Sequence, residues 1–225
     1  MSLSPVPTRV AIVGGSGKVA RRLIPLLRER GVEPVALARR DAQLDELADM
    51  GATPRRLDLE RATADDFVAA FDGCDGVVFS AGGGADGNVA RKRTVDLEGS
   101  LKSVEIARAM SIDRFVQVSA IGVDEPADTS RGAAWTAYVN AKRDADLSLR
   151  SSQLAWTILR PGALTDDEPT GRITLGATVE RGSIPRADVA AVIDACLADP
   201  ATVRCQWELV AGETSIADAL AARTR

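Results

Sequence analysis

Short apolar runs alternate with longer amphipathic stretches along this chain. Val10-Ala11-Ile12-Val13, Val35-Ala36-Leu37, Gly76-Val77-Val78-Phe79, Phe115-Val116-Gln117-Val118 and Trp156-Thr157-Ile158-Leu159 read as strands. Most are nearly continuous rather than alternating, which suits strands buried on both faces of a parallel sheet. Leu57 is placed on a further short strand. Helical spacing covers residues 17–30, 41–50, 64–71, 87–110, 133–152 and 187–198. Gly31 and Gly51 stand where helices stop, and Asp41 can cap the second helix. Strands alternating with helices predict βαβ units with right-handed crossovers. The expected class is therefore α/β, a doubly wound, mostly parallel sheet with helices on both faces. No repeat or low-complexity linker divides residues 1–225, so one domain is expected, with residues 160–225 contributing a small substrate lobe. The polar stretches 122–132 and 161–171 follow strands, at the carboxyl edge where open α/β sheets bind ligands.

Composition narrows the function classes. A net charge of −4 argues against a general nucleic-acid binder, which would carry a basic stripe. No apolar run reaches the roughly 18 residues that a membrane helix needs. Residues 1–8 show no charged-then-apolar leader, and Cys74, Cys196 and Cys205 are scattered, so a reducing cytoplasm is expected. The chain has no histidine, which excludes Ser-His-Asp hydrolysis, Cys-His proteolysis and His-ligated zinc. No metal is expected, and acid–base work falls to Tyr, Lys, Asp, Glu or Cys.

The turn Gly14-Gly15-Ser16-Gly17-Lys18-Val19-Ala20 follows a hydrophobic strand and opens a helix, the setting of a dinucleotide fingerprint. Its glycines allow a tight turn and let backbone N–H groups approach a pyrophosphate at the positive helix end. A phosphate loop of the nucleotide-triphosphatase type is excluded, because Ile12 and Val19 stand where Gly and Ser or Thr are required. Arg39-Arg40 ends the second strand, where an NAD site would carry Asp or Glu. Arginine there can pair with a 2′-phosphate, with Ser16 adding a hydroxyl, so NADP(H) is expected and NAD(H) is left open. Asp58-Leu59 stands where an acceptor would meet adenine, and Ser80-Ala81-Gly82 where small side chains let backbone approach a ribose.

Tyr138 and Lys142 lie four apart in Tyr138-Val139-Asn140-Ala141-Lys142 and share one helix face. A neighbouring ammonium is expected to lower the phenol pKa and make it a proton donor and acceptor. Ser119, at the end of the fifth strand, is expected to hydrogen-bond a substrate oxygen opposite the tyrosine.

Together with Thr157-Ile158-Leu159-Arg160-Pro161-Gly162 and Ile184-Pro185-Arg186-Ala187-Asp188-Val189-Ala190, these motifs make nearly the whole chain resemble an atypical short-chain dehydrogenase/reductase of the NAD(P)-binding, NmrA-like group. The resemblance implies a Rossmann sheet, Tyr138 as proton donor, Lys142 on the nicotinamide ribose, Ser119 orienting substrate, and Pro161-Gly162 on the nicotinamide side. Asp96 stands where many active relatives carry a relay asparagine. The expected activity is NADPH-dependent hydride transfer to a small carbonyl, quinone or flavin-like acceptor. The alternatives are a non-catalytic NADP(H) redox sensor and, behind it, a sugar-nucleotide epimerase or dehydratase. The expected partners are the nucleotide and a small-molecule substrate, with no nucleic acid and no membrane. The chain is read as a monomer, or as a homodimer paired through helices 87–110 and 133–152.

Overall fold

Alternation along the first strand sets the two-layered core. In the computed structural model, described for residues 6–84 and 87–223, Val10 and Ile12 pack into one apolar cluster and Ala11 and Val13 into the other. The first five residues, on which the reading of the N-terminus partly rests, lie outside the described residues.

The strands are β1 (Arg9–Val13), β2 (Glu33–Ala38), β3 (Thr53–Arg56), β4 (Gly76–Phe79), β5 (Arg114–Val118), β6 (Ala155–Pro161), β7 (Ala163–Thr165), β8 (Arg172–Gly176), β9 (Ser183–Pro185), β10 (Cys205–Ala211) and β11 (Thr214–Ser215). The helices are α1 (Lys18–Glu29), α2 (Asp41–Asp49), α3 (Ala64–Phe71), α4 (Val89–Arg91), α5 (Gly99–Ala109), α6 (Ala133–Ser151), α7 (Arg186–Ala198) and α8 (Ile216–Ala221). Among the described residues the main sheet runs β3-β2-β1-β4-β5-β6-β10-β8-β11, parallel from β3 through β10 and antiparallel beyond. This is the expected doubly wound Rossmann sheet.

One face carries α1 and α7, whose Leu23, Leu27, Val189 and Ile193 join Val10 and Ile12. The other carries α3, α5 and α6, with Phe67, Phe71, Val104 and Leu149 against Ala11, Val13 and Phe115. None of the described helices is long and apolar enough to cross a membrane.

Three local expectations are corrected. Leu57 lies just past β3, its N–H donating to the Ala38 carbonyl. The helix expected over 87–110 contains a wide π turn at Lys92–Glu98 between α4 and α5. None of the strands β7 to β11 was expected, and β7 lies within the stretch 161–171 that was read as a loop. In β10 the polar Gln206 and Glu208 interrupt the apolar run, and Glu208 is buried because it accepts from the Gly122 and Val179 N–H groups. The segment beyond residue 160 thus extends the main sheet and also forms the separate β7–β9 pair.

Candidate functional site

The β1–α1 turn is pressed between neighbouring strand ends. Gly14 has φ +82°, and a Cβ there would lie 2.7 Å from the Ala81 Cα. A Cβ on Gly15 would lie 2.8 Å from the Leu37 nitrogen, and the Gly15 N–H already donates to the Leu37 carbonyl at 2.9 Å. Glycine is thus required for packing at both positions. Gly17 precedes α1 with no side-chain cap, which leaves first-turn N–H groups facing the carboxyl edge, as an anion site needs.

A groove of about 200 Å³ runs from this turn across the sheet edge. It brings together Gly14, Ser16, Gly17, Arg39, Asp58, Leu59, Ser80, Ala81 and Gly82, along with Gln43, Glu60, Arg91 and Val95, which the sequence did not single out. Ser16 Oγ accepts from Gln43 Nε2 at 2.9 Å, which leaves its own proton to donate. Arg39 Nη1 lies 3.4 Å from Glu60 Oε2, so a carboxylate already stands where a phosphate is expected.

Other expected contacts do not line the groove. Gly15 is buried behind the turn, and Val19 faces the core. Lys18 turns outward to Asp166, and Arg40 is exposed at the start of α2. Pro161 and Gly162 are buried, with the Gly182 carbonyl and Val210 packed where a Gly162 side chain would project.

On α6 the residues Tyr138, Lys142 and Asp146 repeat every four positions and so share a face. The buried Lys142 Nζ donates to the Val118 carbonyl at 3.1 Å and the Ala81 carbonyl at 3.4 Å. It also lies 3.4 Å from Asp96 Oδ1, while Asp96 Oδ2 accepts from the Gly83 N–H at 2.8 Å. The ammonium therefore ties the ends of β4 and β5 to the π turn. Tyr138 lines a second cavity of about 530 Å³, which meets the first groove at Gly82 and is also bounded by Lys92, Asp96, Arg131, Trp135 and Leu164.

The expected lowering of the tyrosine pKa is reversed. Burial pushes the phenol above its ordinary value, Lys142 pulls it down by less, and Asp96 and Asp146 add to the rise.

Ser119 is also corrected. It lines neither cavity, being buried with its hydroxyl donating to Asp146 Oδ2 at 2.8 Å. Asp146, fully buried, also accepts from Gln117 Nε2 at 2.7 Å and Arg160 Nε at 2.8 Å. Burial pushes its carboxyl pKa up, against the pull of these donors. Arg160 in turn forks onto Asp124 at 2.6 and 2.9 Å. Ser119 thus belongs to a satisfied buried network beneath the tyrosine. The network was missed because each partner is unremarkable alone, although the four-residue step from Lys142 to Asp146 was visible.

The family model described as NAD(P)H-binding matches residues 14–200, from the glycine turn through α7. The chain belongs to this NAD(P)H-binding family. Binding of a nicotinamide nucleotide follows from that membership, and the resemblance to the atypical short-chain dehydrogenases/reductases agrees with it. The chain is 33% identical to the uncharacterized sugar epimerase YhfK of Bacillus subtilis over 213 residues, covering 94% of this chain and 98% of that one. A Bacillus halodurans structure described as an NAD-dependent epimerase/dehydratase superposes with a TM-score of 0.88 at 36% identity, covering 96% of this chain and 99% of that one. The oxidoreductase ylbE of Lactococcus lactis superposes with a TM-score of 0.80 at 27% identity, covering 95% of each chain. Among the described residues no group of three or more Cys, Asp or Glu gathers to hold a metal ion.

Proposed function

We propose that this family member is an NADPH-dependent oxidoreductase that reduces a small carbonyl, quinone or flavin-like acceptor. The observation that carries the reading is the junction at Gly82, where the groove opens into the cavity lined by Tyr138, the one tyrosine of the chain. The oxidoreductase ylbE, similar over nearly the whole chain, supports the reaction class.

The uncapped start of α1 fits a pyrophosphate, and Arg39 with Ser16 fits a 2′-phosphate in place of the Glu60 carboxylate. A nicotinamide nucleotide, when bound, would supply a hydride to the acceptor's electrophilic centre, which in a carbonyl is the carbon. Tyr138 donates its phenol proton to the acceptor oxygen and regains one from solvent. Lys142 holds the strand ends that flank the reacting groups, and its charge steadies the phenolate as it forms. Asp96 fixes the Lys142 ammonium and the Gly83 backbone together.

Replacing Tyr138 by Phe is expected to lower kcat for a carbonyl acceptor by about 10²–10⁴-fold while NADPH affinity is retained. NADPH oxidation across a panel of carbonyls, quinones and flavins measures this. Unchanged turnover would remove the tyrosine from the chemistry.

A second reading, a non-catalytic NADP(H) sensor, is favoured by the engagement of Lys142 with Asp96 and two carbonyls. It predicts nucleotide binding with no turnover on any member of the panel. The names of YhfK and of the Bacillus halodurans protein suggest an epimerase, which would act on substrate with no net consumption of NADPH.

A further inference from the structure

A third cavity, of about 350 Å³, adjoins the one that holds Tyr138, and Arg131 and Trp135 line both. Its far wall carries Gly122 and Arg181. The central carbon of the Arg131 guanidinium lies 3.4 Å from the centre of the Trp135 ring, a cation–π contact that holds the charge against the cavity lining. The backbone at Gly122 runs beside the Arg181 guanidinium, so close that a Cβ there would lie 2.5 Å from Nη2. Among the described residues neither arginine makes an ion pair or a side-chain hydrogen bond, whereas Arg39, Arg160 and Arg186 are all paired with carboxylates. Asp128, the carboxylate in this lining, accepts from the Ser130 N–H at 3.0 Å and the Ser130 hydroxyl at 2.6 Å, and these bonds, with a smaller pull from the Arg131 charge, hold its carboxyl below its ordinary value.

We propose that this third cavity is an oxyanion subsite, and that the acceptor reduced beside Tyr138 carries a carboxylate or phosphate held there by Arg131 and Arg181. Two guanidinium groups lining one cavity from opposite sides match planar oxyanions better than neutral groups. The Trp135 side chain lines both cavities, so an elongated acceptor can run past it from the reacting end to the charged end. This assignment rests on the reductase reading for the reacting end. The affinity for the charged end can be measured without turnover.

The test uses the whole chain saturated with NADP⁺, so that the nucleotide groove is filled. FMN is titrated against riboflavin, and 4-carboxybenzaldehyde against benzaldehyde; the first pair differs by a phosphate and the second by a carboxylate. The anionic member of at least one pair is expected to bind ten-fold or more tightly, and the pair that shows the preference names the anion. Arg131→Gln and Arg181→Gln, both at exposed positions, are each expected to bring that ratio most of the way to one. Arg108→Gln, a charge loss on the remote surface of α5, is expected to leave the ratio as it was. No preference in either pair, or a preference that survives in the Arg131→Gln/Arg181→Gln double variant, would overturn the subsite. Loss of turnover with the binding preference intact would instead overturn the reductase reading and leave the subsite standing.

Discussion

Tyr138 is the residue on which the proposed chemistry turns, and its surroundings choose a direction for it. Burial and the Asp96 and Asp146 carboxylates hold the phenol above its ordinary 10.0, so at neutral pH it carries its proton. A group in that state is a donor at rest, as reduction requires. Reductive kcat should then stay level through neutral pH and fall only as pH rises past the raised phenol pKa. Asp96→Asn removes one negative neighbour, so the alkaline fall should move to lower pH; a kcat–pH profile whose alkaline limb stays put would deny Asp96 that influence. On the same proposal, Arg39 is the corresponding residue for cofactor choice. Losing its charged hydrogen bonds to a 2′-phosphate should weaken NADPH binding by about 10–100-fold in Arg39→Ala. NADH affinity should hardly change. Glu60→Gln should act oppositely, because it frees the arginine from its 3.4 Å partner. Titration of both nucleotides against both variants checks the pair, and a loss of NADPH and NADH affinity in equal measure would show that Arg39 does not read the phosphate.

At the scale of elements, the β1–α1 turn and α6 do different work. The turn needs glycine because two strand ends close on it. Gly14→Ala must adopt a left-handed backbone and push into the Ala81 main chain, at a cost of about 2–5 kcal/mol. Urea unfolding should show this as a lower midpoint. Helix α6 offers one face to the site, with Tyr138 at the cavity, Lys142 on the strand ends and Asp146 in the buried network. Asp146→Ala should cost about 3–5 kcal/mol, because it leaves the Arg160 charge buried without its inner partner. A midpoint equal to wild type would mean that Asp124 alone satisfies Arg160. The turn and the Tyr138–Lys142 face were legible in the sequence because both are local patterns, a run of glycines after a strand and a spacing of four. Ser119 was misjudged because the partner that claims it, Asp146, is 27 residues away in the chain. Arg39 and Arg40 could not be told apart by sequence. Only the start of α2 puts one over the groove and the other in solvent.

For the whole molecule, the strand order explains why these parts meet. The chain leaves β1 for β2 and β3 on one side, then returns to place β4 on the other. Loops on either side of this switch point therefore diverge and open a crevice at the carboxyl ends, where Gly14 and Ala81 face each other. Alternation of strands and helices was enough to foresee this half. The other half was harder to read, since β10 buries Glu208 and β8 alternates Arg172 and Thr174 outward against Ile173 and Leu175 inward. These strands derive their stability from pairing with β6 and each other, a tertiary effect that no local pattern carries. Because the crevice joins elements from both sides of the switch point, a nucleotide that fills it should stabilise the fold as one unit. At a hundred times its Kd, NADPH should add about 2.7 kcal/mol, which for a chain of this size raises Tm by about 5–10 °C. NADH at the same concentration should raise it less, by a difference that follows the logarithm of the two affinities. A thermal scan that is blind to both nucleotides would mean that the groove does not bind them, and the reductase, sensor and epimerase readings would fall together.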